Sequence, residues 1–181
     1  MHDLPAVLIT GASSGIGAVY AERFAQRGHA LVLVARDQSR LEALAARLHA
    51  ETGVTIDVLR ADLTHQQDLE AVSARLRTDE RTGILINNAG AAQSGGFLDQ
   101  SSDSIARLIA LNTTAPTQLA AAIAPRLAQA GTGAIVNIGS VVGFAPEFGA
   151  LVYGATKAFL LYLSQGLRLE LGPQGVYVQA V

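Results

Sequence analysis

The sequence opens its folding pattern with Ala6-Val-Leu-Ile-Thr10-Gly-Ala-Ser-Ser-Gly15-Ile-Gly17, an apolar run that leads directly into a glycine-rich turn. Residues 6–10 are short, apolar and rich in strand formers, which is typical of a strand buried on both faces. An apolar pattern with helical spacing then continues to about Arg27, where Gly28 is a stop signal. A buried strand, a tight turn and a helix in this order predict an α/β fold.

The same alternation of apolar strand and amphipathic helix continues through the rest of the chain. Further strands are predicted at residues 30–35, 55–61, 84–86, 134–139 and 176–181. Helices are predicted from about 41 to Gly53, after Thr64 as a capping residue, at 103–130 and at 152–171. Pro116 and Pro125 predict a kink, an interruption or a split in the helix at 103–130. This alternation predicts one domain, residues 1–181, with a parallel sheet between two layers of helices.

Composition excludes several classes of protein. Half of the 181 residues are hydrophobic and 15% are charged, so a packed domain is expected rather than a disordered chain. A net charge of −2 lacks the basic footprint of a nucleic-acid-binding protein. The sequence has no signal peptide and no apolar run of about 18 residues, so we expect a cytoplasmic protein with no membrane segment. There is no cysteine, and the four histidines show no metal spacing, so no metal is expected.

The glycine-rich turn is a candidate phosphate site. Gly11, Gly15 and Gly17 lie between a strand and a helix, in the spacing G-x-x-x-G-x-G. Residues without a Cβ allow a tight turn and let a phosphate approach the backbone, while the helix N-terminus offers free N–H groups. The alternative is a tight strand-to-helix turn that binds nothing.

The end of the second strand indicates which dinucleotide is used. An arginine there accommodates the 2′-phosphate of NADP, whereas a carboxylate binds the ribose hydroxyl of NAD. The strand ends with Ala35, Arg36 and Asp37, so NADP(H) is preferred over NAD(H). The alternative is that Arg36 is a solvated loop charge and that Asp37 takes the ribose.

Ser140, Tyr153 and Lys157 form a candidate catalytic group. Tyr153 and Lys157 are four residues apart and share one face of a predicted helix, and Ser140 follows the fifth strand. Carbonyl reduction needs a proton donor, for which a phenol beside a cation is suited, and a hydrogen bond to the oxygen as negative charge develops. Taken singly, each residue has a structural alternative. Tyr153 could be a helix residue with a packed ring, Lys157 could be a surface charge, and Ser140 could be a loop cap.

These motifs occur together in a known order. Thr10-Gly-Ala-Ser-Ser-Gly-Ile-Gly17, Asp62-Leu63, Asn87-Asn-Ala-Gly90, Asn112, Ser140 and Tyr153-x-x-x-Lys157 follow one another with suitable spacing. The chain resembles the short-chain dehydrogenases/reductases from residue 8 to residue 181. The resemblance implies a three-layer Rossmann fold with strand order 3-2-1-4-5-6 and NAD(P)(H) at the carboxyl ends of the strands.

The resemblance also implies roles for single residues. Tyr153 would be the acid/base, Ser140 would orient the substrate carbonyl, Lys157 would bind the nicotinamide ribose and favour the phenolate, and Asn112 would help hold a relay water. From the residues alone, Asn112 could instead bond a nearby carbonyl, and Asn87 and Asn88 could tie strands together. The expected cofactor-binding residues are Gly11, Ser13, Ser14, Gly15, Ile16, Gly17, Arg36, Asp62, Leu63, Asn88, Ala89, Gly90, Tyr153 and Lys157.

The expected function is hydride transfer between NADP(H) and a small-molecule substrate that carries a carbonyl or alcohol group. Residues 141–151 and the loop at 91–97 could wall an apolar substrate pocket or belong to the core. The helix at 152–171 is apolar around much of its circumference, which predicts a homodimer or homotetramer. Members of the family continue with a seventh strand and a substrate-covering segment that this sequence does not contain. The alternative function is therefore an NADP(H)-binding protein without turnover.

Overall fold

A six-stranded sheet forms the centre of the computed structural model, which describes residues 4–93 and 96–181. Its strands are Ala6–Thr10 (β1), Leu31–Ala35 (β2), Ile56–Arg60 (β3), Thr82–Asn87 (β4), Ala134–Asn137 (β5) and Tyr177–Ala180 (β6). The α-helices are Gly15–Gln26 (α1), Gln38–Thr52 (α2), Gln66–Thr78 (α3), Ser102–Ile109 (α4), Ala115–Ala130 (α5) and Leu151–Leu171 (α6). All the predicted strands are present.

The topology of the sheet positions the site. The strand order is β3-β2-β1-β4-β5-β6, and every neighbouring pair is parallel. The predicted Rossmann topology is therefore confirmed. The chain order reverses between β1 and β4, so the loops after these two strands diverge and leave a crevice at their carboxyl ends. The glycine turn follows β1 and the Asn87–Gly90 segment follows β4, which brings both motifs to that crevice.

The core consists of two hydrophobic layers, one on each face of the sheet. All five residues of β1 and all five of β2 are buried, as their apolar sequences require. One layer is formed by side chains of α1 and α2, including Ala21, Ala25, Leu41, Leu44 and Leu48. The other is formed by α3 and α5, including Leu69, Val72, Leu76, Leu119, Ile123 and Leu127. Helices thus pack on both faces and hold the carboxyl edge of the sheet in place.

The helix predicted at 103–130 is interrupted, as its prolines indicated. It consists of α4, a π-helical turn at Ala110–Thr114 and α5. Pro116 lies in the first turn of α5, where a missing N–H costs least. The helix continues through Pro125, which is exposed together with Ala121, so water can reach the carbonyl that the proline leaves without a donor.

Two local predictions differ from the structure. Thr64 does not cap α3: His65 is the N-cap residue, and Thr64 donates from N and Oγ1 to Asp62 Oδ1. A short hydroxyl side chain can bond a nearby carboxylate instead of a helix end, and here the carboxylate wins. The loop predicted at 91–102 contains a single turn of 3₁₀ helix at Phe97–Asp99, and residues 94 and 95 lie outside the described residues. Among residues 4–93 and 96–181, no helix is long and apolar enough to span a bilayer.

Candidate active site

The glycine turn after β1 is built on close backbone contacts. Gly11 has φ +65° and Gly15 has φ +55°, a region that favours glycine. A Cβ on Gly17 would lie 2.3 Å from Gly11 O and 2.5 Å from Asn88 Nδ2, whereas a Cβ on Gly15 would meet nothing within 4 Å. Gly17 therefore serves packing, whereas Gly15 has open space beside it.

Asn88 and Thr10 hold the two sides of this turn together. Asn88 Nδ2 donates to the carbonyl oxygens of Thr10 (2.9 Å) and Gly11 (3.1 Å). Thr10 Oγ1 accepts from the backbone N–H groups of Asn88 and Ala89, both at 3.0 Å, and donates to Ile86 O at 3.3 Å. The asparagine side chain thus ties together the segments that follow β1 and β4, which is the structural alternative given above for Asn88. Thr10 was not predicted as a site residue, because a threonine at the end of a strand has no distinctive signal in a sequence.

Asn87 ties strands in the same way. Its Nδ2 donates to Asn137 Oδ1 (2.9 Å) and to Pro116 O (3.3 Å). Asn137 Nδ2 in turn donates to Ser164 Oγ at 2.8 Å. Because this network is buried, it fixes α6 on the edge of the sheet where the candidate catalytic residues lie.

The N-terminus of α1 is open to an anion. Ser14 is the N-cap residue, but its side chain makes no capping hydrogen bond, and the first turn contains no acidic residue. The first backbone N–H groups of α1 therefore keep their hydrogen-bonding capacity and the positive end of the helix dipole. By contrast, Asp37 caps α2 with its own side chain.

A cleft of about 680 Å³ lies along the carboxyl edge of β1, β2 and β4. Twelve of its lining residues matter here: Gly11, Ser13, Ser14, Ile16, Arg36, Asp37, Arg40, Asp62, Leu63, Asn88, Ala89 and Gly90. Its position beside the uncapped start of α1, its charged and polar lining residues and its volume fit a dinucleotide, which this chain's family resemblance implies. The predicted cofactor residues that do not line the cleft are Gly15, Gly17, Tyr153 and Lys157.

The two charged residues after β2 differ in their contacts: Arg36 has no charged or hydrogen-bonding partner among the described residues, whereas the Asp37 carboxylate has three contacts. Asp37 Oδ1 accepts from Arg40 N (3.1 Å) and Ser39 Oγ (2.9 Å), and its Oδ2 pairs with Arg40 Nε at 3.3 Å. The backbone N–H of Arg40 is the main reason why the pKa of the Asp37 carboxyl is lowered. Arg36 is exposed and is in no hydrogen bond or ion pair with the described residues. Arg40 also lines the cleft, although no motif in the sequence marks it as a site residue.

Asp62 and Leu63 close the far side of the cleft. Burial raises the pKa of the Asp62 carboxyl, but the hydrogen bonds from Thr64 and the nearby charges of His65 and Arg36 outweigh it, so that the pKa is lowered. Asp62 is therefore ionised and faces the positive side of the cleft near neutral pH. Leu63 is 5% exposed and supplies apolar surface.

Lys157 is buried beside the ring of Tyr153. Its side chain is 5% exposed, its Nζ donates to Ile138 O at 2.6 Å, and Nζ lies 5.7 Å from the centroid of the Tyr153 ring. Burial lowers the pKa of the Lys157 ammonium. The tyrosine and the lysine therefore share a face of α6, as the four-residue spacing predicted.

Ser140 lies at the end of the chain segment that Lys157 contacts. It caps the 3₁₀ turn Val141–Phe144, and its Oγ accepts from Val142 N at 3.3 Å. Val141 and Phe144 are each 72% exposed, so they are not part of the core of this chain. They present apolar surface next to Ser140.

Asn112 lies in the π-helical turn with both amide hydrogens in use. Its Nδ2 donates to Ala91 O (2.9 Å) and to Thr156 Oγ1 (3.1 Å), and its Oδ1 accepts from Ala91 N (3.0 Å). Thr156 Oγ1 donates to Tyr153 O at 2.7 Å. Oδ1 keeps one free lone pair, so Asn112 can act only as an acceptor toward a further partner. Thr156, which no motif in the sequence marks as a site residue, therefore links Asn112 to the backbone of Tyr153.

Gly90 joins the cleft to the candidate catalytic residues. A Cβ on Gly90 would lie 3.4 Å from Asn112 Oδ1 and 3.6 Å from Lys157 Nζ. Gly90 lines the cleft, so Asn112 and Lys157 lie just beyond one end of it. Among the described residues, no cluster of three or more His, Cys, Asp or Glu side chains could hold a metal ion.

The chain is similar to proteins of one family over nearly its whole length. A family model described as short chain dehydrogenase matches residues 5–181. A very-long-chain 3-oxoacyl-CoA reductase from Podospora anserina is 37% identical over 179 residues, which cover 96% of this chain and 52% of that protein. The chain thus spans about half the length of this curated relative.

Two solved structures are much more similar. A bulky-bulky ketone specific alcohol dehydrogenase from Comamonas testosteroni has 69% sequence identity and a TM-score of 0.98, over 99% of this chain and 72% of its own. A protein from Sphingobium yanoikuyae, solved in complex with NADPH, has 73% identity and a TM-score of 0.97, over 98% of this chain and 70% of its own.

Proposed function

The chain belongs to the short-chain dehydrogenases, and from this premise we propose that it transfers a hydride between NADP(H) and a carbonyl or alcohol substrate. The observation that carries the proposal is the position of Lys157. Its buried ammonium lies against the Tyr153 ring and, across Gly90, at the end of a cleft suited to a dinucleotide. A phenol and a cation at the end of such a cleft suit proton transfer to a carbonyl oxygen.

Each candidate residue has a separate part in this reaction. When bound, the cofactor supplies or accepts the hydride. Tyr153 gives a proton to the carbonyl oxygen during reduction and takes it back during oxidation. Ser140 donates a hydrogen bond to that oxygen, and Lys157 stabilises the phenolate with its positive charge. Asn112 accepts a hydrogen bond from a relay water through its free Oδ1 lone pair.

NADP(H) is the proposed cofactor because the two charges at the end of β2 are not equivalent. Asp37 is occupied by three contacts from Ser39 and Arg40, so its oxygens are poorly placed to accept the ribose hydroxyls of NAD. Arg36 lines the cleft and is unpaired among the described residues, so its guanidinium group is available to a 2′-phosphate, and Arg40 lines the cleft beside it. The 73% identical neighbour that contains NADPH supports the same choice.

The cofactor preference can be measured by binding. We expect Arg36→Gln to weaken the binding of NADPH by about 10- to 100-fold, because charge-assisted hydrogen bonds are lost. The affinity for NADH should stay within about twofold. Arg77→Gln is the matched control, because Arg77 pairs with Glu70 on the surface of α3 and does not line the cleft. Equal loss of NADPH and NADH affinity, or equal affinities in the unaltered protein, would show that the Arg36 assignment is wrong.

A ketone flanked by two bulky groups is the proposed substrate class. The 69% identical alcohol dehydrogenase from Comamonas testosteroni is described as specific for such ketones. The exposed side chains of Val141 and Phe144 beside Ser140 offer apolar surface to large substituents.

Turnover is tested by NADPH oxidation with a panel of bulky ketones and small aldehydes. We expect Tyr153→Phe to abolish activity while NADPH binding persists. Tyr177→Phe is the control: Tyr177 lies at the start of β6, at the opposite end of the sheet, and bonds Gln179. Binding of NADPH without Tyr153-dependent turnover would favour the alternative, an NADP(H)-binding protein without catalysis.

A homo-oligomer is proposed from the outer face of α6. Phe159, Tyr162 and Leu169 are exposed by 43%, 81% and 74%, although a helix that packs only on its own sheet would place polar residues there. We expect Tyr162→Glu to dissociate the oligomer in sedimentation at micromolar concentration. Gln67→Glu, an equal charge change at an exposed position of α3, is the control. A monomeric unaltered protein would refute this proposal.

A further inference from the structure

We propose that Gly143 and Gly154 are positioning residues that set the position of Ser140 relative to Tyr153 and Lys157; the inference rests on the proposed function. Ser140 has no direct hydrogen bond to α6 among the described contacts. Its orientation follows from the 3₁₀ turn that it caps, through the bond from Val142 N to Ser140 Oγ. Whatever fixes this turn on α6 therefore fixes the serine.

The first contact is between Gly143 and the backbone of α6. A Cβ on Gly143 would lie 2.9 Å from Ala158 N, 3.0 Å from the carbonyl carbon of Lys157 and 3.3 Å from Lys157 Cβ. Two of these atoms are backbone in the middle of a 21-residue helix, so they cannot rotate aside as a side chain could. Any side chain at position 143 would have to lift the turn from the helix.

The second contact is reciprocal. A Cβ on Gly154 of α6 would lie 3.1 Å from Val142 O and 3.3 Å from Val142 Cγ1. A glycine of the turn thus packs on the helix, and a glycine of the helix packs under the turn. Gly166, in the same helix, has nothing within 4 Å of an added Cβ, so close packing is specific to the segment beside Ser140.

Ser140 lies between two points at which its segment is held on α6. On one side Ile138 O accepts from Lys157 Nζ at 2.6 Å, and on the other Gly143 packs on Lys157 and Ala158. A methyl group at position 143 would lift one end while the Ile138 contact holds the other. The serine would then swing away from Tyr153, and a displacement of about 1 Å can cost roughly 100-fold in rate.

The test compares single alanine substitutions in the whole protein. Gly143→Ala is expected to lower kcat by about 100-fold and to leave the Kd for NADPH within about twofold, because the cleft does not include residue 143. Gly154→Ala is expected to lower kcat less, since its contacts are longer and alanine favours the helix. Gly166→Ala is the matched control, with unchanged kcat and equal or greater thermal stability.

A double-mutant cycle shows whether Gly143 acts through the serine. If it does, Gly143→Ala adds little to the loss already caused by Ser140→Ala, so the two losses are strongly non-additive. If the losses in kcat of the two single variants multiply in the double variant, or if NADPH affinity falls in parallel, Gly143 has a general structural role. Either result would overturn the inference. Gly154→Ala repeats the cycle if Gly143→Ala does not fold.

A structural measurement separates this inference from the proposed function. Crystal structures of the Gly154→Ala and Gly166→Ala proteins give the distance from Ser140 Oγ to the Tyr153 hydroxyl without any turnover. We expect this distance to increase in Gly154→Ala and to stay unchanged in Gly166→Ala. An unchanged distance in both variants would refute the inference even if the protein is an active enzyme. If the unaltered protein reduces no carbonyl, only the proposed function is refuted.

Discussion

Replacing Gly17 by alanine should destabilise the whole domain, because position 17 has the tightest contact of the glycine turn. The new methyl group would lie 2.3 Å from Gly11 O and 2.5 Å from Asn88 Nδ2, whereas favourable contacts between heavy atoms begin at about 3.5 Å. One or both neighbours must move by about 1 Å. Asn88 Nδ2 also donates to Thr10 O at 2.9 Å and to Gly11 O at 3.1 Å, so the displacement weakens both bonds.

The magnitude follows from these contacts. Overpacking costs about 1–3 kcal/mol, and each weakened hydrogen bond about 1 kcal/mol. The better helix propensity of alanine returns up to about 1 kcal/mol. We therefore expect the free energy of unfolding to fall by about 2–5 kcal/mol, which for a domain of this size lowers Tm by on the order of 10 °C.

Urea unfolding of Gly17→Ala beside Gly15→Ala tests this reasoning. Gly15 has open space around it, so alanine there costs only the strain of its left-handed backbone, about 1 kcal/mol. The midpoint should fall strongly for Gly17→Ala and slightly for Gly15→Ala, with unchanged slopes. A loss below about 0.5 kcal/mol for Gly17→Ala, or equal losses for both, would refute the argument.

Three further substitutions test buried and charged contacts. Thr156→Val keeps the shape but removes the partner of Asn112 Nδ2, and should cost about 1–3 kcal/mol in urea unfolding; an unchanged midpoint would contradict the bond. Ser164→Ala should lower the free energy of unfolding by about 1–3 kcal/mol, because it leaves Asn137 Nδ2 without its acceptor. Ser164→Thr should restore part of this loss. Burial raises the pKa of the Asp79 carboxyl, but bonds from Arg81 and Arg75 hold it at about 2, below 3.8. The ionised Asp79 carboxylate therefore stabilises the fold fully above pH 3.8, and this stabilisation is lost as pH falls through about 2. Asp79→Asn should be less stable than the unaltered protein at neutral pH and should lose less stability on acidification. Parallel profiles of stability against pH for the two proteins would contradict this.

The strands were predictable because each one is a short apolar run bounded by turn residues. β1 and β2 occupy the middle of the sheet and are buried on both faces, so their sequences carry an unbroken apolar signal. Thr64 shows where this local reasoning fails. A hydroxyl before a helix reads as a cap, but the nearest acceptor in space is the carboxylate of Asp62.

Part of the candidate site was equally predictable. The glycine spacing, the tyrosine and lysine four residues apart, and the basic residue after β2 all depend on neighbours within a few positions of the chain. Arg40 and Thr156 were not selected, because each matters through a contact that sequence spacing does not reveal: one lines the cleft, and the other bonds a residue 44 positions away.

The sequence by itself therefore determined the order of strands and helices, the parallel sheet and the chemical groups of the site, since these follow from hydrophobic period and short-range spacing. Only the tertiary structure decided which glycines of the turn are closely packed and which face open space. Gly17 and Gly15 are two residues apart in one motif, yet one abuts Gly11 and Asn88 and the other faces open space. That difference is set by distant segments folded against the turn, and contact distances of this kind have no local signature in a sequence.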